Sequence, residues 1–148
     1  MSDRFRLRRY RDADEDAAIE LWRRTWQLAY PDIDFTARLA WWRERWRNEL
    51  VPAATVVVGE DDAALMGFVT IDDEGYLDQI VVAPEAWGTP LAKLLLDEAK
   101  RLSPSGVSLL VNLDNFRAIK FYEKNAFVAD GEDVNASGRK VLRMVWRP

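Results

Sequence analysis

The chain has 148 residues, 49% of them hydrophobic and 31% charged, with a net charge of −4. That length and balance fit one folded domain with a real core, so a disordered chain is not the default reading. Cysteine and histidine are both absent, which excludes disulfides, thiolate or imidazole metal sites, and Ser-His-Asp or Cys-His triads.

Acid–base chemistry therefore falls to Asp, Glu, Tyr, Lys or water, and no metal is expected. No apolar run approaches the ~20 residues of a membrane span. The charged N-terminus, MSDRFRLRRYRD, lacks the apolar stretch of a secretory signal. Residues 1–50 carry 11 Arg and 10 acidic residues, and the remainder carries 10 basic and 15 acidic ones, so neither half is a nucleic-acid surface by charge. A cytoplasmic protein engaging neither membrane nor nucleic acid is the expectation.

In chain order, residues 4–10 alternate weakly and predict a strand. Asp12 and Asp14 can cap a helix over 13–29, where Ala18, Leu21, Trp22, Trp26 and Ala29 recur at helical spacing. A second helix fits 35–50, with Phe35, Leu39, Trp42, Trp46 and Leu50 in one stripe. Five of the seven tryptophans fall in this pair. They read first as core and covering layer, with an aromatic wall of a substrate pocket as the second reading.

From 54 to 82 the period becomes that of strands: 54–59, 65–71 and 77–82, joined by acidic turns, which argues for antiparallel pairing. Gly67 marks a bulge or a close approach. The stretch LDQIVVAPEAWGTPLAKLLL (77–96) then reads strand, loop, helix. Thr89 suits the N-cap and Pro90 the first helical position. A helix start of this kind is a potential anion site. After helix 89–102 come a buried strand, 107–111, parallel to its predecessor across a helical crossover, a short helix, 115–124, and two strands, 127–129 and 139–146, joined by an acidic hairpin.

This order, with two stretches in particular, resembles the GCN5-related N-acetyltransferase (GNAT) superfamily. VVAPEAWGTPLAKLLLDEAKRL (81–102) is similar to its acetyl-CoA motif, and NFRAIKFYEKNAF (115–127) to its later Asn-x-x-Ala motif. The resemblance implies an α/β (α+β) single-domain GNAT-like acyl-CoA N-acyltransferase fold over 1–148, with a mixed, mostly antiparallel sheet flanked by helices. It implies transfer of an acetyl group from acetyl-CoA to an amine of a small molecule or peptide. The backbone groups of Ile80 and Val82 would pair with the pantetheine arm. The stretch Trp87, Gly88, Thr89, Leu91, Ala92 would cradle the pyrophosphate. Asn115 would contact the cofactor arm, and Tyr122 would face the sulfur. A homodimer is compatible with the sequence.

The sequence departs from the family at Trp87, where Gln or Arg is usual, at Pro90, which has no N–H, and at Ala126, where the later motif has Gly. These departures motivate the alternative of a catalytically weak binding or regulatory module with a degenerate CoA loop.

The chemistry needs a polarised carbonyl, a deprotonated amine and a proton for the leaving thiolate. Tyr122 is the candidate acid, its other reading being a Tyr packed with its hydroxyl on backbone. Strict alternation puts Tyr76, Asp78, Ile80 and Val82 on one face, making Asp78 the candidate base, or else a partner of one of the arginines. Glu85 is the reserve, and a water chain with no single base is a further option.

Overall fold

The computed structural model describes residues 4–148; the first three residues of the charged N-terminal segment lie outside the described residues. Two antiparallel sheets carry the fold. The first has strand order β1 (Arg6–Arg9), β2 (Ala54–Glu60), β3 (Leu65–Asp72), β4 (Leu77–Val82). The second has order β5 (Val107–Asn112), β7 (Lys140–Trp146), β6 (Val128–Val134). The expected parallel pairing of β4 with β5 is reduced to one bridge, Tyr76 to Ser108, tied by the Ser108 N–H on the Gly75 carbonyl at 2.8 Å.

On one face of the first sheet lie α1 (Glu15–Ala29) and α2 (Leu39–Arg45), the latter running through a π-turn (Trp46–Leu50) into the short α3 (Val51–Ala53). Trp22 stacks on Trp42 at 4.5 Å, and Trp46 meets Phe68 edge-on at 5.1 Å. These three tryptophans are buried, each worth ~1.5–3 kcal/mol or more in transfer. The core reading holds for them, whereas Trp41 is exposed. Asp14 does not cap α1. Its carboxylate takes both Nη atoms of Arg8 at 2.8 Å and the Arg11 N–H at 2.8 Å.

On the other face, α4 (Leu91–Leu102) buries Leu91, Leu95, Leu96 and Ala99 against β2 and β3. Gly67 is a close approach: a Cβ there would lie 2.8 Å from the Val81 carbonyl oxygen and 3.0 Å from Leu95. α5 (Phe116–Lys124) follows β5, and two residues past its end Ala126 has a φ of 71°, in the left-handed region, where the related motif carries Gly.

Candidate active site

β4 is irregular, and the irregularity builds the site. Val69 pairs with Ile80 but Ile71 with Leu77, so two residues, Asp78 and Gln79, oppose Thr70 alone. This is a β-bulge. The buried Thr70 hydroxyl holds it by accepting the Gln79 N–H at 3.1 Å. Beyond it, Ala83 N–H donates to Met66 at 2.7 Å. Hydrogen-bonded and non-bonded pairs alternate along an antiparallel ladder. The N–H and C=O groups of Ile80 and Val82 therefore point away from β3. On that side β5 has already parted from β4, leaving a cleft open at the C-terminal ends of both strands.

The bulge also corrects the alternation expected from sequence. Ile80 and Val82 lie on the α4 side of the sheet, with Tyr122 in the same apolar cluster. Asp78 lies on the opposite side. There its carboxylate pairs with both Nη atoms of Arg45, at 3.1 and 2.6 Å, and Arg45 stands 5.5 Å from the Trp42 ring centroid. Asp78 is thus a partner of an α2 arginine and does not share a face with Ile80. Glu85 is likewise engaged, by Arg24 at 2.5 and 3.0 Å, and this contact holds its carboxyl below the usual range.

Tyr122 is buried between Phe121 and Phe127. Its hydroxyl hydrogen-bonds to no described residue, so the backbone-bonded alternative does not hold. Burial pushes its phenol well above the ordinary value, so the group stays protonated at neutral pH.

The loop between β4 and α4 is a tight turn, Pro84–Ala86, followed by Trp87 to Pro90. Gly88 has φ 79° and open space around it, a conformation that favours glycine. The Trp87 and Thr89 amides are spent inside the loop, on Pro84 and Ala86 carbonyls at 3.2 Å each. They are not the free donors the motif suggests. Thr89 Oγ1 stands 3.4 Å from Leu91 N–H, and α4 begins after Pro90, whose φ of −69° suits the first turn. The amides of Gly88, Ala92 and Lys93 remain at this helix start. Two further features escape sequence reasoning. The Trp87 indole N–H donates to the Val82 carbonyl at 2.9 Å. The Arg117 guanidinium, with no carboxylate partner among the described residues, stands 4.4 Å from the Trp87 ring centroid. Asn115 caps α5, accepting the Ala118 N–H at 3.3 Å.

At the mouth of the cleft a pocket of about 410 Å³ is lined by Tyr30, Asp32, Asp114, Asn115 and Arg139, among others. Tyr30 joins it to β5, since Asn112 Nδ2 donates to the Tyr30 hydroxyl at 2.9 Å. Sequence pattern alone offered Tyr30 only as a helix terminator. Among the described residues no group of three or more carboxylates is placed to hold a metal ion, and no helix is long and apolar enough to cross a membrane.

Comparison with known proteins gives this geometry its frame. The profile of the acetyltransferase (GNAT) domain matches residues 34–148. The chain belongs to the GNAT acetyltransferase family. Within that family it is 29% identical over 126 residues to the peptidyl-lysine N-acetyltransferase YjaB of Salmonella typhimurium, covering 84% of each chain. Its fold is similar to the solution structure of apo-form YjaB from Escherichia coli, with a TM-score of 0.79, 19% identity and 96% and 97% of the two chains covered. It also resembles the spermidine N-acetyltransferase of Vibrio cholerae, solved with CoA and spermine, with a TM-score of 0.68, 22% identity and 99% and 96% covered. This GNAT chain is an N-acetyltransferase.

Proposed function

We propose that the protein transfers an acetyl group from acetyl-CoA directly to an amine of a small molecule or peptide. The observation that carries this reading is the cleft beside β4. Along it Ile80 and Val82 turn their unpaired backbone groups to the open edge of the strand and their side chains into the apolar cluster that holds the unpartnered phenol of Tyr122. The names of the relatives support it, one a peptidyl-lysine acetyltransferase and one solved with CoA and spermine.

Acetyl-CoA supplies an activated thioester acyl group. Residues of this chain would do the rest. An extended pantetheine arm fits the edge of β4 as an added strand, pairing with Ile80 and Val82. The amides of Gly88, Ala92 and Lys93 at the α4 start, with Leu91 and Thr89 beside them, suit a pyrophosphate, and Arg117 adds a charge that the motif's Gln or Arg would otherwise bring. Asn115 flanks the arm. A strand N–H near Val82 would donate to the acyl oxygen as negative charge develops there.

Tyr122 would protonate the leaving sulfur. A free thiol has a pKa of ~8.5 and a free phenol ~10, and burial in one cleft raises the proton affinity of both. With Asp78 and Glu85 both tied to arginines, the amine would shed its proton to water and attack as the free base.

Calorimetric titration of acetyl-CoA and CoA, with an amine panel assayed for free-thiol release, tests this. Saturable heat with both ligands and release with at least one amine are expected, and no heat at millimolar ligand removes the reading. The Trp87 contact on Val82 favours a second reading, a weakly catalytic module. A large gain in CoA affinity on Pro90→Gly would support it.

A further inference from the structure

The pocket at the mouth of the cleft already holds a cation, and that cation belongs to the chain. Arg139, in the turn between β6 and β7, places its guanidinium 4.8 Å from the Tyr30 ring centroid. Its Nη2 reaches Asp114 Oδ2 at 3.5 Å. An aromatic face with a carboxylate at its edge is a recognition unit for organic cations. Here it is held in place from behind. Asn112 donates to the Tyr30 hydroxyl at 2.9 Å, Tyr30 donates to Asp114 Oδ1 at 3.1 Å, and Trp26 stacks on the Tyr30 ring at 5.7 Å. Asp32 lines the same pocket with no partner among the described residues. Without Arg139 the pocket therefore presents two carboxylates and an aromatic ring.

Arg139 itself is loosely held. The pair is long and its side chains are 38% and 59% exposed, the regime in which an ion pair contributes little. We infer that Tyr30 and Asp114 form a cation subsite whose natural occupant is a second positive charge on the acceptor, and that Arg139 fills the subsite until such an acceptor displaces it. The amine to be acetylated goes to the cleft, and the second cation goes to this pocket. Asn115 lines the pocket, and Tyr122 lies seven residues further along α5, about 10 Å by helical rise. The acceptor class is thus a dibasic one, its two nitrogens several bonds apart. A diamine and a lysine peptide with a basic neighbour both meet that description. The inference rests on the acetyltransfer reading for the first nitrogen only.

Two matched pairs test it: cadaverine against pentylamine, and a Lys-Arg against a Lys-Gln peptide. Wild type is expected to favour the dibasic member by tenfold or more in kcat/KM. Asp114→Asn should bring that ratio close to one, and Arg139→Gln should lower KM for the dibasic acceptor severalfold by removing the internal competitor. A preference confined to the diamines would identify free polyamines as the source, and one confined to the peptides would identify proteins. Calorimetry with cadaverine reads the subsite without turnover, so heat with cadaverine but none with acetyl-CoA would keep the subsite and remove the reaction. Equal kcat/KM within both pairs, or no cadaverine heat from either wild type or Arg139→Gln, overturns the inference.

Discussion

The indole N–H of Trp87 donates to the main-chain carbonyl of Val82 at 2.9 Å. That carbonyl is one of the outward groups of β4 that an added pantetheine arm would use, so ligand and indole compete for one acceptor. Trp87→Phe keeps an aromatic ring under Arg117 and removes the N–H. A neutral hydrogen bond contributes about 1 kcal/mol net, so Kd for acetyl-CoA should fall about fivefold by calorimetry. A rise in Kd would instead make the indole part of the binding surface.

Tyr122→Phe separates proton donation from packing. The ring stays between Phe121 and Phe127, and only the unpartnered hydroxyl is lost. The expected result is a kcat lower by about 10²–10³, within reach of a lost general acid, with Kd for acetyl-CoA changed less than twofold. Parallel losses in both would assign Tyr122 to structure alone.

Asp78→Ala strands the Arg45 guanidinium, which lies partly buried against Trp42. A lost charged hydrogen-bond pair costs about 2 kcal/mol, and at this chain length that lowers Tm by roughly 4–8 °C. The pH profile of kcat should keep its shape. A hundredfold fall in kcat at unchanged Tm would restore Asp78 as the base.

Asp14 sets part of the acid limit of stability. The hydrogen bond from Arg8, chiefly, holds its carboxyl below the ordinary value. A depressed pKa contributes stability above the unfolded value of ~3.9 and loses it as pH falls through the folded one. Asp14→Asn should therefore be less stable than wild type at pH 7. It should also lose less on acidification below about pH 4, as read by urea unfolding at a series of pH values.

Ala126 occupies a left-handed conformation, φ 71°, that costs an L-residue ~1–2 kcal/mol. Ala126→Gly relieves it at some entropic cost in the unfolded chain. Net stabilisation of about 0.5–1 kcal/mol is expected by chemical denaturation.

The order of elements was legible in the sequence because period and punctuation are local. Val56 to Val58 read as strand, Leu91 to Leu96 as helix, and Pro90 and Asn115 sit within a residue of helix starts. The site was only half legible. Ile80, Val82 and Tyr122 do meet on one side of the sheet, but Asp78 does not join them. The reason is non-local: Thr70 captures the Gln79 amide from the neighbouring strand, and no periodicity within 77–82 reports that. Asp78 finds Arg45 across 33 residues, and Trp87 turns back onto Val82. Charge partners and side-chain caps of this kind depend on which surfaces packing brings together. Tyr30 looked like the end of a helix until Asn112, Asp114 and Arg139 closed around it.

The bulge at Asp78 and Gln79 has an energetic corollary. Residues two apart on a regular strand share neighbours, and their substitutions couple. Asp78 and Ile80 instead face opposite sides of the sheet, one toward Arg45 and the other toward the layer under α4. The free-energy costs of Asp78→Ala and Ile80→Ala should sum to that of the double variant within ~0.5 kcal/mol. Additive costs would mean that β4 contributes to stability as two short strands laid end to end.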